Sequence, residues 1–234
     1  MTFKEDNGVG PIRIALVGVG GTGCALLPLL CALPVDAITV IDGDTVEARN
    51  LDRQFLFSAM DVGRPKVEAA LGASRLRTGL RVKAEFRFLD AENARDSLKG
   101  SAVVADCTDD LAARALIERT CRELGVPLVS GAVYDHQIQV ITCSGDQHLR
   151  ERSGFFQGRA SEEQLGCDMQ RVPAAVTTIT ASLMALRIAD ILRGGSGLAG
   201  VMDLVDSERG RWMRIIGPEA GELMDTPINP VYRG

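Results

Sequence analysis

Short apolar runs of strand length alternate with longer apolar segments in the first part of the chain. Residues 12–17 and 37–41 are short runs, and residues 24–33 between them form an apolar segment of helical length that contains Pro28. We expect Pro28 to kink or shorten this helix. A strand, a helix and a second strand in this order make a βαβ unit, whose crossover requires parallel strands. The pattern therefore predicts an α/β fold with a mostly parallel sheet.

The remaining apolar runs predict further strands and helices. The predicted strands cover residues 82–89, 102–105, 126–133 and 138–143, and the predicted helices begin at Pro65 and cover 111–124 and 173–192. Two final runs, 201–205 and 212–216, flank Glu208-Arg209-Gly210 and predict an antiparallel hairpin.

Residues 144–172 differ from both neighbouring regions. They are rich in glycine, serine, glutamine and charged residues and show little periodicity, so we interpret them as a crossover loop. The chain, 1–234, is then expected to form one domain, with a core at 12–143, the crossover loop, and a helix with the C-terminal hairpin at 173–234.

Composition narrows the classes of protein that the chain can be. Hydrophobic residues make up 46% of the sequence, enough for a substantial core, and the formal net charge of -5 gives no overall basic surface for nucleic acid. The first residues are polar and acidic, unlike a signal peptide. The longest apolar stretches contain Pro, Asp or Arg and are too short to span a bilayer. We therefore expect a cytoplasmic protein without membrane or nucleic-acid partners.

The six cysteines are irregularly spaced and form no C-x-x-C pair, so no zinc site is expected. Cys167 lies in the crossover loop close to Arg171, which would favour a thiolate, so a reactive cysteine and an ordinary loop residue are both open. The other five lie in or beside predicted strands and helices and are interpreted as small core residues: Cys24, Cys31, Cys107, Cys121 and Cys143.

A glycine-rich turn, Gly18-Val19-Gly20-Gly21-Thr22-Gly23, joins the first predicted strand to the first helix. Gly18 permits the tight turn, and Gly20 and Gly21 let backbone N–H groups approach an anion at the positive end of the helix. Asp42 ends the next strand, where a carboxylate commonly binds ribose hydroxyls. These residues predict a nucleotide site but leave NAD and ATP equally open, and a glycine turn needed only for packing is the simplest alternative.

Three further segments favour ATP. They are Asn50-Leu51-Asp52-Arg53-Gln54 just after Asp42-Gly43-Asp44, then Gly63-Arg64-Pro65-Lys66, and finally Asp106-Cys107-Thr108-Asp109-Asp110. In this order and at these spacings they make the sequence resemble the ThiF/MoeB family, the bacterial relatives of ubiquitin-activating enzymes, closely over 12–143 and more loosely from Pro173. The resemblance implies a Rossmann-like ThiF/MoeB adenylation fold, in which a mostly parallel sheet is flanked by helices and extended by antiparallel C-terminal strands.

The resemblance also implies a role for each residue that matches a family motif. Asp42 would bind the ribose, Lys66 would reach the phosphates, and Asp109 would hold a Mg²⁺ ion that bridges them. Taken singly, each residue has a simpler explanation: Arg53 and Lys66 as solvated charges, Asn50 as a turn residue, and Asp109 as the N-cap of the helix at 111. The nucleotide-binding residues implied by the resemblance are Gly18, Gly20, Gly21, Asp42, Asp44, Asn50, Arg53, Gln54, Lys66, Asp109 and Asp110.

The implied activity is ATP- and Mg²⁺-dependent adenylation of the C-terminal carboxylate of a ubiquitin-like or sulfur-carrier protein by a homodimer, with release of pyrophosphate. Because the attacking carboxylate is already ionised, such a site needs no general base and mainly positions and stabilises charge. Three alternatives stay open: adenylation of a small or tRNA-linked carboxylate, a non-catalytic nucleotide-binding scaffold subunit, and an NAD-linked dehydrogenase. The last leaves Arg53, Lys66 and Asp109 unexplained.

The sequence departs from the family pattern in several places. The first eleven residues contain no arginine, although relatives usually carry one there and lend it to the neighbouring subunit's ATP site. Asp110 replaces the usual asparagine, and the two zinc-binding C-x-x-C pairs of many relatives are missing. Cys167 falls where some relatives keep a cysteine that links to the activated partner. The chain also looks like ThiF-type proteins encoded beside ubiquitin-like genes in bacterial mobile-element systems.

Overall fold

The computed structural model of the chain describes residues 11–72, 79–145, 147 and 172–216, which fold around one eight-stranded sheet. The strands are β1 (Arg13–Val17), β2 (Ala37–Asp42), β3 (Arg81–Phe86), β4 (Val103–Asp106), β5 (Leu128–Tyr134), β6 (Gln137–Cys143), β7 (Val201–Asp206) and β8 (Arg211–Ile216). The α-helices of the described residues are α1 (Gly21–Ala32), α2 (Lys66–Ala70), α3 (Ala94–Leu98), α4 (Leu111–Leu124) and α5 (Ala174–Leu192).

The sheet combines a parallel part with an antiparallel part, in the strand order β3-β2-β1-β4-β5-β6-β7-β8. Strands β3, β2, β1, β4 and β5 are parallel, and the pairs from β5 to β8 are antiparallel. The predicted fold class is therefore confirmed. Val17 pairs with both Ile41 and Asp106, so β1, β2 and β4 end side by side. The chain order reverses between β1 and β4, which is where open α/β sheets place their ligands.

Alternating side chains of β1 divide the core between the two faces of the sheet. Ile14 and Leu16 belong to the apolar cluster under α1 and α5, whereas Ala15 and Val17 belong to the cluster that contains residues of α3 and α4. This alternation follows from the two-residue period of a strand, and residues on both faces are buried because helices cover both faces. The layered packing fixes the edge at which β1, β2 and β4 end.

Several element boundaries differ from those predicted. Helix α1 begins at Gly21 and continues through Pro28, because tertiary burial of Leu26, Leu27 and Leu30 outweighs the N–H group that proline lacks. Strand β3 ends at Phe86, and the next three residues turn to line the cleft described below. Helix α2 begins at Lys66, one residue later than predicted, and Pro65 is its N-cap. The five-residue helix α3 is too short to show helical periodicity.

One helix among the described residues, α5, is long and apolar enough to cross a membrane by length and composition. The expectation that every apolar stretch is too short was therefore wrong for this segment. The helix packs against α1, β5 and β6, and its Arg187 forms a buried ion pair with Asp203 of β7. This is the packing of a core helix. The buried residues of α5 are Val176, Thr177, Thr180, Ala181, Met184, Arg187 and Ile188.

Candidate active site

A cleft of about 690 Å³ opens at the carboxyl ends of β1, β2 and β4, where the chain order reverses. The structure brings together all eleven nucleotide-binding residues that the sequence predicts, since each of them lines this cleft. On the other side the cleft reaches β5 and β6, where Gly131 and Gln139 line it. Cys167 lies outside the described residues, so its position relative to the cleft stays a prediction.

The glycine turn leaves the N-terminal end of α1 open to the cleft. Gly18 has φ +85°, and a Cβ atom there would lie 2.9 Å from the Cys107 carbonyl oxygen, so the turn packs directly against the loop after β4. A Cβ atom on Gly20 would meet nothing within 4 Å. Helix α1 has no side-chain cap and no acidic residue in its first turn. Its first N–H groups and positive dipole end are therefore available to an anion.

Asp42 is a buried carboxylate at the end of β2. Its Oδ2 accepts a hydrogen bond from the Val19 N–H at 2.6 Å, and its Oδ1 accepts one from the Asp44 N–H at 2.8 Å. Burial raises the pKa of Asp42, and the nearby charge of Lys66 and the two N–H groups oppose only part of that rise. Each carboxylate oxygen has a second lone pair, so Asp42 can still accept a hydrogen bond from a ligand hydroxyl.

Two cations of the cleft, Arg53 and Lys66, are buried, with only 5% and 6% of their surface exposed. The interpretation as solvated charges was therefore wrong for both. Lys66 Nζ lies 2.9 Å from Asp44 Oδ2, and Arg53 Nη1 lies 3.0 Å from Asp52 Oδ1, but both carboxylates are more than half exposed. Because water can solvate both exposed carboxylates in place of their ion pairs, the two buried cations can turn to an anionic ligand.

Asn50 and Gln54 lie on either side of Arg53 in the sequence, and only one of their two side-chain amide oxygens has a hydrogen-bond partner. Asn50 Oδ1 accepts a hydrogen bond from Arg53 Nη2 at 2.5 Å, which fixes the guanidinium. Gln54 is 4% exposed, and its Oε1 has no hydrogen-bond partner among the described residues. An unpaired buried acceptor costs about 1–3 kcal/mol, so Gln54 is a residue for which a bound ligand would supply a missing hydrogen bond.

The two aspartates that follow β4 are both exposed but have different environments. Asp110 is the N-cap of α4, because its Oδ1 accepts a hydrogen bond from the Ala113 N–H at 2.7 Å. The alternative that gave this cap to Asp109 was therefore wrong. Asparagine caps equally well, so the departure at Asp110 preserves the local structure. Asp109 has no hydrogen bond or ion pair with any other described residue, which leaves its carboxylate open to the cleft.

Arg114 is the main site residue that the sequence analysis missed. It is 6% exposed and lines the cleft. Its guanidinium donates to the Gly131 carbonyl at 3.0 Å, to Ser130 Oγ at 3.3 Å and to the Thr108 carbonyl, so it ties the loop after β4 to β5. A signal was available, because Arg114 follows Asp110 by one helical turn and therefore lies on the same face of α4.

The charges that line the cleft are balanced. Five side chains are cationic and five are acidic: Arg49, Arg53, Lys66, Arg87 and Arg114 against Asp42, Asp44, Glu47, Asp109 and Asp110. No group of three or more His, Cys, Asp or Glu that could hold a metal ion occurs in the part of the chain that the structure describes. A metal ion bound here would thus need ligands from a substrate, as Mg²⁺ commonly takes from phosphates.

The described cysteines near the cleft are poor nucleophiles. Burial raises the pKa of the Cys24 thiol to about 12 and holds the pKa of Cys107 well above its ordinary value. Both side chains are therefore neutral thiols at physiological pH. Cys24, Cys31, Cys121 and Cys143 are buried and Cys107 is partly buried, which confirms their interpretation as core residues.

Comparisons with known proteins agree with the geometry. The sequence profile of the ThiF family matches residues 8–219. The molybdopterin-synthase adenylyltransferase of Escherichia coli K12 is 34% identical over 210 residues, which are 88% of this chain and 83% of that protein. The SAMP-activating enzyme E1 of Haloferax volcanii is 37% identical over 135 residues, which are 57% of this chain and 50% of that protein.

The solved structures give the same fold. Escherichia coli MccB with ATP matches with a TM-score of 0.72 at 15% identity, and the match covers 88% of this chain and 65% of that chain. At this identity the likeness speaks for the fold alone, and this chain spans slightly less than two thirds of the length of MccB. The family profile and the adenylyltransferase relatives confirm the resemblance found in the sequence. The chain belongs to the ThiF family and is an ATP-dependent adenylyltransferase.

Proposed function

We propose that this adenylyltransferase uses ATP and Mg²⁺ to adenylate the C-terminal carboxylate of a ubiquitin-like or sulfur-carrier protein. The observation that carries the proposal is the cleft, in which the open N-terminus of α1 and two buried cations, Arg53 and Lys66, line one space. A triphosphate is the ligand that matches this arrangement. The relatives named as a molybdopterin-synthase adenylyltransferase and as an E1 activating enzyme support a protein substrate.

In the proposed reaction, a carboxylate oxygen of the substrate attacks the α-phosphorus of ATP, and the bond from that phosphorus to the β-bridging oxygen breaks. The products are an acyl adenylate and pyrophosphate. No proton has to move, so the residues act by position and charge. Asp42 would accept a hydrogen bond from the ribose. Arg53, Lys66 and the N–H groups of α1 would stabilise the negative charge that moves onto the leaving pyrophosphate.

A Mg²⁺ ion fits the proposed site through Asp109. Its carboxylate is exposed, lines the cleft and has no partner among the described side chains. One carboxylate together with substrate phosphates and water is an ordinary coordination set for Mg²⁺. When bound, the ion would neutralise phosphate charge, which matters because the lining residues alone sum to no net charge.

The side of the cleft formed by β5 and β6 would receive the carboxylate-bearing tail. Gly131, Ala132 and Val133 of β5 and Gln139 of β6 line this part of the cleft, and the first two have little or no side chain to obstruct a tail. A homodimer, the state that the family resemblance implies, is part of the proposal, and light scattering in solution would test it.

The proposal is tested by exchange of labelled pyrophosphate into ATP. We expect exchange that requires Mg²⁺ and one ubiquitin-like or sulfur-carrier protein, and that is lost in Asp109→Ala. A truncated carrier without its last residue is the matched control and should give no exchange. ATP binding without exchange for any carrier protein would contradict the proposed substrate and favour the scaffold alternative. Exchange driven by a small carboxylate would replace the protein substrate with that compound.

A further inference from the structure

Arg49 presents a cation with free hydrogen-bond donors at the mouth of the cleft. It lies in the 3-10 helix Ala48–Asn50, lines the cleft, and has a side chain that is 68% exposed. Its Nε donates to Glu47 Oε2 at 2.6 Å. Its two terminal NH2 groups make no hydrogen bond with any described residue. Arg49 therefore differs from Arg53, whose terminal nitrogens are both engaged by Asn50 and Asp52.

The partner of Arg49 can release it at little cost. Glu47 is 45% exposed, and exposed ion pairs contribute little to stability because water solvates both charges after separation. The same Glu47 oxygen also accepts a hydrogen bond from Asn50 Nδ2 at 3.3 Å. Glu47 therefore keeps a partner when Arg49 leaves, and the loop that carries Arg53 keeps its hydrogen bonds.

We propose that Arg49 exchanges Glu47 for the terminal phosphates of ATP and then holds pyrophosphate as it leaves. This inference rests on the proposed function, because it requires ATP in the cleft. Arg49 lines the cleft, is 68% exposed and keeps both terminal nitrogens free of described partners, and guanidinium groups bind phosphate oxygens through two parallel hydrogen bonds.

Arg64 offers a matched control for substitution of Arg49. Its Nη1 lies 2.6 Å from Asp61 Oδ1 and its side chain is 52% exposed, so it too is an exposed arginine in an ion pair, but it does not line the cleft. Binding of ATP and of AMP, each with Mg²⁺, would be measured by calorimetry for the wild type, Arg49→Ala, Arg49→Lys and Arg64→Ala. These binding measurements need no carrier protein.

We expect Arg49→Ala to weaken ATP binding by about tenfold to a hundredfold, the usual loss for a charged hydrogen bond. AMP lacks the terminal phosphates, so its affinity should stay unchanged, and Arg49→Lys should recover part of the loss for ATP. The substitution Glu47→Gln should tighten ATP binding when Arg49 is present but not when Arg49 is replaced by alanine. Arg64→Ala should bind both nucleotides as the wild type does.

Two outcomes would overturn the inference while leaving the proposed function intact. One is equal ATP affinity in the wild type and Arg49→Ala. The other is an equal loss for ATP and AMP, which would show that Arg49 only supports the loop. Failure of the wild type to bind ATP at all would instead remove the proposed function, and the inference with it.

Discussion

Replacing Lys66 with methionine should lower the rate of pyrophosphate exchange strongly while lowering the stability of the fold only slightly. Methionine keeps the length and the apolar stem of the buried side chain and removes the charge. The lost ion pair, 2.9 Å long, joins Lys66 to Asp44, whose side chain is 55% exposed and can be solvated by water. Such a pair contributes at most about 1 kcal/mol, and at this chain length about 1 kcal/mol shifts the Tm by roughly 2–4 °C.

The effect on the reaction should be much larger. If Lys66 stabilises the charge that moves onto pyrophosphate, its loss should lower the rate of pyrophosphate exchange by about 100- to 1000-fold, as for other preorganised electrostatic groups. Lys83→Met is the matched control, because Lys83 forms a 2.7 Å ion pair with Glu85 and does not line the cleft. It should exchange like the wild type.

Both variants would be compared by thermal unfolding and by initial exchange rates at saturating carrier protein. Exchange within a few-fold of the wild type in Lys66→Met would refute the role of Lys66 in charge stabilisation. A decrease of several kcal/mol in the free energy of unfolding would contradict the small value expected from the exposure of Asp44. It would mean that the buried ammonium group of Lys66 stabilises the fold through more than its ion pair with Asp44.

Four further substitutions test other parts of the structure. Gly23→Ala should lower the free energy of unfolding in urea by about 1–3 kcal/mol or more, because the added Cβ would overlap a backbone oxygen. Gly20→Ala should keep the stability of the wild type, because its Cβ would meet nothing, but should bind ATP more weakly. Asp203→Ala should cost about 3–5 kcal/mol at neutral pH by leaving Arg187 buried and unpaired, and retention of wild-type stability would contradict this. Burial raises the pKa of Asp203, but hydrogen bonds from two arginines outweigh burial, and the net effect is a lowered pKa. Asp203 therefore stabilises the fold at pH values above the ordinary aspartate pKa of about 3.9. The difference in the free energy of unfolding between the wild type and Asp203→Ala should shrink as the pH falls below that value. Cys167→Ser should leave pyrophosphate exchange intact and abolish any covalent link to the carrier protein on non-reducing gels; an unchanged link would clear Cys167 of that role.

The sequence predicted that the glycine turn and Asp42 would lie together because both follow strand ends, and their binding of a nucleotide stays a prediction. Strand β1 leads straight into the glycine turn, and β2 ends at Asp42, so parallel pairing alone brings these segments together. Arg114 escaped prediction because its partners, Ser130 and Gly131, lie on β5, and only the folded sheet brings them within hydrogen-bond distance. The preference of aspartate for helix N-termini predicts an N-cap just before α4, but it does not decide whether Asp109 or Asp110 supplies that cap.

The charge balance of the cleft has a consequence for how ATP is captured. With five cationic and five acidic side chains in its lining, and a chain of net charge -5 around it, the cleft exerts little long-range attraction on an anion. Its cations act at contact distance, where Arg53 and Lys66 are shielded from water. The protein should therefore distinguish ATP from other anions by a slower dissociation of ATP, and not by a faster association. The association rate should change little with added salt, because screening has little attraction to remove.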